Sequence, residues 1–178
     1  PGAFDHFDSI FCVGPHHVAE TRASEREFNT PRKMLVEHGY GRLDALMQAR
    51  PRNTVGVDDE GERTVLIAPS WGPNGLFETC GREVVSCLLN AGFRVIARPH
   101  PITTRTHHAT IEDLGKTFGG SERFSLELDM IGTKSLEQAD LMVSDWSGAA
   151  FEFAFAFEKP VIFLDLPPKI NNPNFEAV

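Results

Sequence analysis

Apolar residues in this chain come in strand-length runs, each of which breaks off into a polar cluster. Four such runs lie in the second half. Val65-Leu66-Ile67-Ala68 precedes Pro69-Ser70-Trp71, and Arg94-Val95-Ile96-Ala97 precedes Arg98-Pro99-His100-Pro101. Leu141-Met142-Val143 precedes Ser144-Asp145-Trp146-Ser147-Gly148, and Val161-Ile162-Phe163-Leu164 precedes Asp165. Unbroken apolar runs belong to strands buried on both faces, as parallel strands are. Between them lie helical patterns. The stretch from Glu78 to Ala91 puts Val84, Val85, Leu88 and Leu89 on one stripe, and Gly92 stands where a left-handed C-terminal cap belongs. A weaker helical pattern covers 107–117, while Phe124-Ser125-Leu126-Glu127-Leu128 alternates like a strand. Strands alternating with helices predict βαβ units. The expected fold is therefore α/β, a Rossmann-like and mostly parallel sheet flanked by helices.

One segment carries two periods at once. Phe151, Phe153, Phe155 and Phe157 alternate with Glu and Ala, as strand residues do. The run from Ser147 to Lys159 is nevertheless long for a strand, and its alanines are strong helix formers. It also joins two runs that, if parallel, need a crossover, most often a helix. Helix is the reading chosen. Phenylalanine at every second helical position surrounds the axis, so this helix should be deeply buried or carry a second interface.

The first half is less regular. It offers a short strand at Ile10-Phe11-Cys12-Val13, then Gly14-Pro15 and a polar helical stretch to Phe28. A strand at Lys33-Met34-Leu35-Val36, a turn at His38-Gly39-Tyr40-Gly41 and a helix from Leu43 to Ala49 follow. Residues 51–63 lack either period and contain Pro51, Gly56 and Gly61, which predicts a mobile loop. The expected organisation is a linker remnant and first βα region over 1–63 and a Rossmann-like nucleotide-binding core over 64–178, together one domain.

Composition narrows the classes. With 178 residues, 41% of them hydrophobic, the chain can bury one good core. A net charge of −8 argues against a nucleic-acid footprint, which would be a basic face. Three cysteines without metal-ligand spacing suit a reduced compartment better than a disulfide framework. No apolar stretch reaches the roughly 18 residues of a membrane span. The chain opens on Pro1 with no signal peptide, as a piece of a longer protein would.

The polar clusters hold the candidate chemistry. In open α/β sheets, ligands bind beyond the carboxyl ends of the strands. If the four runs are parallel neighbours, Ser70, Arg98, His100, Ser144, Asp145 and Ser147 share one rim. Ser144 to Gly148 bridges a strand end and a helix start, with capping residues and a glycine that permits close backbone approach. A helix N-terminus there suits phosphate, and simple capping explains the same residues about as well. In Arg98-Pro99-His100-Pro101, two prolines stiffen the backbone around one imidazole. Arginine supplies a fork for phosphate or carboxylate, and histidine a proton donor near neutrality, with a structural histidine as the bland alternative. Pro69 to Gly75 reads equally as a turn-rich loop packed by Trp71 or as a ligand-lining loop. The adjacent pairs His16-His17 and His107-His108 diverge on any regular element and do not suggest a metal site.

Together, Ile67-Ala68-Pro69-Ser70-Trp71, Arg98-Pro99-His100-Pro101, Ser144-Asp145-Trp146-Ser147 with Phe151-Glu152-Phe153, and Lys159-Pro160-Val161-Ile162-Phe163 resemble the CDP-glycerol glycerophosphotransferase family. These are the teichoic-acid primases and polymerases and their capsule-synthesis relatives. Gly39-Tyr40-Gly41-Arg42-Leu43-Asp44 is similar to the family's Gly-Tyr-Pro-Arg-x-Asp turn, with Gly41 in place of proline. Trp146 stands where the family often has tyrosine. The likeness runs from about residue 8 to 166 and rests on the order and spacing of the motifs.

The resemblance implies one half of a GT-B architecture, the C-terminal domain that holds the nucleotide. It makes His100 the counterpart of an essential catalytic histidine. It makes Ser144, Asp145, Ser147 and Gly148 the pyrophosphate-contacting turn, with Ser70 on the same rim, and it sets Arg98 near the donor phosphates. The implied reaction moves glycerol phosphate, or a related polyol phosphate, from a CDP-activated donor to a hydroxyl on a polymer or lipid-linked acceptor. No metal, cofactor or nucleic acid is implied. The family's other essential histidine, in an N-terminal His-Gly motif, has no match here. The fragment is therefore expected to need a missing N-terminal domain and to be inactive alone. The implied setting is cytoplasmic, at the inner face of the plasma membrane. Two alternatives stay open: a GT-B glycosyltransferase using a nucleotide sugar, and a non-catalytic interaction domain.

Overall fold

The structure is a computed structural model in which residues 4–49, 61–129 and 132–168 are described. The expected loop at 51–63 lies largely outside them, and so does any account of it. The chain divides into two compact units, with the boundary between Ala45 and Leu46. The sequence had suggested a boundary after residue 63.

In the first unit, β1 (Ser9–Cys12) and β2 (Met34–Glu37) pair in parallel, joined through α1 (Pro15–Glu27). Ile10 and Cys12 point inward while Phe11 is 70% exposed, so the strand alternates despite its apolar composition. Gly14 occupies the N-cap of α1 and Pro15 the first turn, where a missing N–H costs nothing. Glu25, on the last turn of α1, accepts two hydrogen bonds from Arg22 at 2.7 and 2.9 Å and one from the Lys33 amide at 2.8 Å. Arg22 in turn donates to the Lys33 carbonyl at 3.0 Å. This cluster ties the end of the helix to the entry of β2. It holds the Glu25 carboxyl below its ordinary range, chiefly through the Arg22 hydrogen bonds. Gly39, at φ 83°, makes the turn into α2 (Gly41–Ala49).

The second unit is built on five parallel strands in the order β5-β4-β3-β6-β7. They are β3 (Thr64–Ile67), β4 (Arg94–Ala97), β5 (Phe124–Leu126), β6 (Leu141–Ser144) and β7 (Val161–Phe163). Register pairs Ile67 with Ala97 on one side and with Val143 on the other, so the carboxyl ends align. Val65, Leu66 and Ile67 are fully buried, as are Val95 and Ala97. This is the α/β, Rossmann-like fold expected from the unbroken apolar runs.

The connections are α3 (Leu76–Thr79), α4 (Gly81–Asn90), α5 (Pro101–Thr106), α6 (His108–Phe118), α7 (Lys134–Gln138) and α8 (Gly148–Phe157). The helix expected over 78–91 is thus two pieces broken at Cys80, and a Cβ at Gly81 would come within 2.8 Å of the Phe77 ring. Val85 is fully buried, and Val84, Leu88 and Leu89 pack beside it on the core. After α4, the Gly92 N–H donates to Leu89 O and the Phe93 N–H to Leu88 O, both at 3.1 Å. Gly92 itself sits at φ 91°, which is the predicted Schellman-type stop. The pattern over 107–117 becomes α6, with the separate turn α5 ahead of it. The helix expected between the strands at 124–128 and 141–143, whose bounds the sequence left open, is the five-residue α7. Lys159 holds it to the end of α8, donating to the carbonyls of Glu137 and Ala139 at 2.6 Å each.

The phenylalanine segment is a helix, and its rings divide. Phe153 and Phe157 are buried, whereas Phe151 and Phe155 are 58% and 60% exposed. The exposed pair stacks with ring centroids 6.2 Å apart, and Phe163 from β7 lies 6.2 Å from Phe151. The helix is therefore not buried all round as one form of the expectation had it: one face is core and the other is exposed.

Candidate functional site

In the order β5-β4-β3-β6-β7, consecutive connections run outward from β3 to one side and then, after β5, cross back to β6 on the other. The change of direction falls between β3 and β6, the kind of position beyond which open α/β sheets bind their ligands. The loop leaving β3 carries Ser70 and Trp71, and the turn leaving β6 carries Ser144 to Gly148. The candidate residues thus sit where strand order alone would put a site.

Three of the candidate residues stitch these two loops together. The Ser144 hydroxyl, fully buried, donates to the Ala68 carbonyl at 2.8 Å. The Asp145 carboxylate, 2% exposed, accepts the Ser70 N–H at 2.6 Å through Oδ1 and the Leu76 N–H at 3.1 Å through Oδ2. One carboxylate therefore grips the 70–76 loop at both ends. Two backbone donors on a carboxylate satisfy a buried charge that would otherwise be costly. Ser70 takes part through its backbone.

Ser147 is the N-cap of α8. Its hydroxyl oxygen accepts the Ala149 N–H at 3.3 Å, which leaves the hydroxyl proton to donate outward. Its own N–H donates to Asp145 O at 2.8 Å, so the residue lies outside the helix rather than on its first position. Gly148 is exposed, and a Cβ built there meets nothing within 4 Å, so the approach to the helix start is open.

His100 lies at the neighbouring strand end, half-buried. It is the N-cap of α5, its Nδ1 accepting the Ile102 N–H at 3.1 Å. An Nδ1 that accepts is unprotonated, so the neutral ring carries its proton on Nε2. The Trp71 ring stands 6.1 Å from the imidazole, centroid to centroid. Residues from the β3 and β4 loops therefore meet over this part of the rim.

Arg98 is turned elsewhere. Its guanidinium, 5% exposed, donates to the Ser135 hydroxyl at 3.0 Å and to the Gly132 carbonyl at 2.9 Å. Its fork shapes the turn that enters α7, between β5 and β6. A strand end places the Cα on the rim, but the side chain follows the pleat, and sequence position does not say which way.

Glu78 was not singled out in the sequence. Its side chain is 3% exposed, accepts the Thr103 hydroxyl at 2.8 Å and lies 3.6 Å from His107 Nδ1. It ties α3 to α5, the helix that His100 caps, and a Cβ at Gly75 would collide with its Oε2. An acidic residue in a helical first turn is so ordinary that no local signal marked it. Among the described residues no group of three or more His, Cys, Asp or Glu is arranged to hold a metal.

Residues 5–166 match the family described as CDP-Glycerol:Poly(glycerophosphate) glycerophosphotransferase, and the chain belongs to that family. Among solved structures, a candidate UDP-N-acetylglucosamine 2-epimerase from Listeria monocytogenes is similar at a TM-score of 0.56 and 18% identity. That likeness, covering 96% of this chain and 44% of the other, supports the fold. KpsC of Thermosulfurimonas dismutans, described as a beta Kdo 2,4 transferase, aligns at a TM-score of 0.38 and 14% identity, over 92% of this chain and 49% of that one. The chain thus spans less than half the length of these structural relatives. No curated protein matches.

Proposed function

We propose that this chain forms the nucleotide-donor half of a GT-B transferase. The enzyme moves glycerol phosphate, or a related polyol phosphate, from a CDP-activated donor to a hydroxyl acceptor during cell-surface polymer synthesis. The observation that carries the reading is the open, Ser147-capped start of α8 at the point where strand order reverses, within a chain of this family. A helix start offers N–H groups and the positive end of its dipole to a diphosphate. An acidic chain can bind an anion this way without a lysine cluster.

The chemistry follows from that placement. An acceptor oxygen attacks the β-phosphorus, the bond to the bridging oxygen breaks, and CMP leaves. Positioning and charge stabilisation dominate phosphoryl transfer. Ser147 Oγ–H and the Gly148 end of α8 hold the diphosphate. His100, with its proton on Nε2, serves the oxygen on which negative charge develops. Asp145 and Ser144 shape the cradle from beneath, and Arg98 supports the rim through the turn at 132–135. The base that activates the acceptor comes from a second, N-terminal domain, so the 178-residue chain alone does not turn over. The reaction runs in the cytoplasm, at the inner face of the membrane.

Calorimetric titration with CDP and CMP tests the donor reading. The chain should bind CDP, and Ser147→Ala should weaken binding while costing about 1 kcal/mol of stability as a lost cap. A chain that binds neither nucleotide removes the reading. Turnover of CDP-glycerol against UDP-sugars by a two-domain form separates the polyol-phosphate transferase from a glycosyltransferase. The exposed Phe151, Phe155 and Phe163 cluster favours a second reading, a non-catalytic interaction domain, which predicts no binding of either nucleotide.

A further inference from the structure

Trp146 is 61% exposed, yet its ring is fixed. Its indole N–H donates to the Leu166 carbonyl at 2.8 Å. Leu166 follows β7 and packs against the hydrophobic core, so the acceptor does not wander. An aromatic ring whose polar edge is bonded to protein, and whose surface faces solvent, is a preformed flat platform. Phe151, Phe155 and Phe163 are different: they lie against one another and have no such anchor.

The platform's position in the chain gives it meaning. Trp146 lies between Asp145, which grips the loop from β3, and Ser147, which caps α8. Adjacent Cα atoms are about 3.8 Å apart, so the indole springs from beside the helix start. In a nucleoside diphosphate one ribose separates the phosphates from the base, a span comparable with the reach of an indole from its Cα. A diphosphate at α8 would leave its base within reach of this ring. With Arg98's fork engaged by Ser135 and Gly132 and the net charge at −8, an uncharged contact becomes important for affinity.

We infer that Trp146 is the stacking surface for the nucleobase of the donor. This rests on the nucleotide-donor reading above and adds the residue that reads the base. Stacking is tolerant of base identity because every base has a π-face. Trp146 therefore supplies affinity for a nucleotide over a bare diphosphate.

The test is calorimetric titration of the 178-residue chain with CDP and, separately, with inorganic pyrophosphate. It uses the wild type and Trp146→Ala, Trp146→Leu and Trp146→Phe. Loss of the ring should weaken CDP binding roughly 5- to 150-fold in the Ala and Leu variants. Pyrophosphate affinity should not change, and Phe, which keeps a π-face but loses the Leu166 bond, should weaken CDP binding less than Ala or Leu does. Leu retains apolar bulk, so it reports even if Ala disturbs the Leu166 contact. Equal CDP affinity in wild type and Leu variant overturns the inference. So does a matching loss for pyrophosphate, which would make Trp146 a support of the turn. Wild type that binds pyrophosphate as tightly as CDP sinks the stacking role alone. Wild type that binds neither sinks the donor reading and this inference together.

Discussion

Asp145 Oδ1 and the Ser70 amide nitrogen meet at 2.6 Å across 75 residues of sequence. The same carboxylate reaches the Leu76 amide through its other oxygen. These contacts join the loops that leave β3 and β6, and they give Asp145 a backbone-holding task. The 70–76 loop also presents Trp71 to His100, so the conformation imposed by Asp145 extends to the neighbouring strand end.

Asp145→Asn is expected to destabilise the chain, because an amide has one acceptor where two backbone donors need one each. The amide left without its acceptor should cost roughly 1–3 kcal/mol. Urea denaturation measures the change, and hydrogen exchange at Ser70 and Leu76 should accelerate selectively. Unchanged exchange at both amides would mean that the carboxylate does not hold the loop.

His100→Ala removes both a ring and an N-cap. A stability loss of about 1 kcal/mol is therefore expected from the cap alone, where a rim histidine without that bond would cost almost nothing. Asparagine caps well but carries no titratable proton. In a two-domain form, His100→Asn should keep the melting temperature while losing at least ~100-fold in turnover, the scale of a lost charge-stabilising group. Full turnover in the Asn variant would reduce His100 to a cap.

Arg98→Lys keeps the charge but cannot place two donors in a fixed fork. Hydrogen bonds from a charged group contribute roughly 1.5–3 kcal/mol each. Loss of one should lower stability by about that amount, with CDP affinity following only as far as the 132–135 turn shifts. A large fall in CDP affinity at unchanged stability would instead put the guanidinium on the donor phosphates.

Glu25 predicts an acid-sensitive joint in the first unit. Its carboxyl is held below the ordinary value of 4.5, chiefly by the Arg22 hydrogen bonds and then by the Lys33 amide. A depressed carboxyl contributes stability that is fully present above its unfolded value and is lost as pH falls through the folded one. The protection factor of the Lys33 amide, its exchange rate relative to an unstructured amide at the same pH, should therefore be high at neutrality and fall on acidification from about pH 4.5 downward. In Glu25→Gln that pH dependence should be flattened.

Much of the sheet was legible from local pattern. The runs at 65–68, 94–97 and 141–143 lack polar alternation because their strands are largely covered on both faces. The run at 161–164 is apolar although Ile162 and Phe163 of its edge strand are half exposed, and all four form parallel strands within a residue or so of those bounds. The stop at Gly92 was equally plain, since a left-handed position after a helix favours glycine. The breaks at Cys80 and His107, and the bounds of the short α7, were not legible. No proline or glycine pair marks them, and each depends on what the neighbouring elements allow. The phenylalanine segment shows the same division: its composition specified a helix, while packing on β6 and β7 chose which rings to cover.

The sequence by itself determined that a Rossmann-like sheet forms and that Ser70, Arg98, His100, Ser144, Asp145 and Ser147 stand at its carboxyl ends. Apolar runs and turn residues are local, and period and punctuation follow directly from the chain. Only the tertiary structure decided what each side chain does there. It turned Asp145 onto two backbone amides and Arg98 onto the 132–135 turn, and it made caps of Ser147 and His100. Partners 34 to 76 residues away in sequence engage the buried polar groups of Arg98, Asp145 and Ser144. Such pairings exist only once the strands are laid side by side, because burial forces each polar group to find a partner and strand order decides which one is within reach.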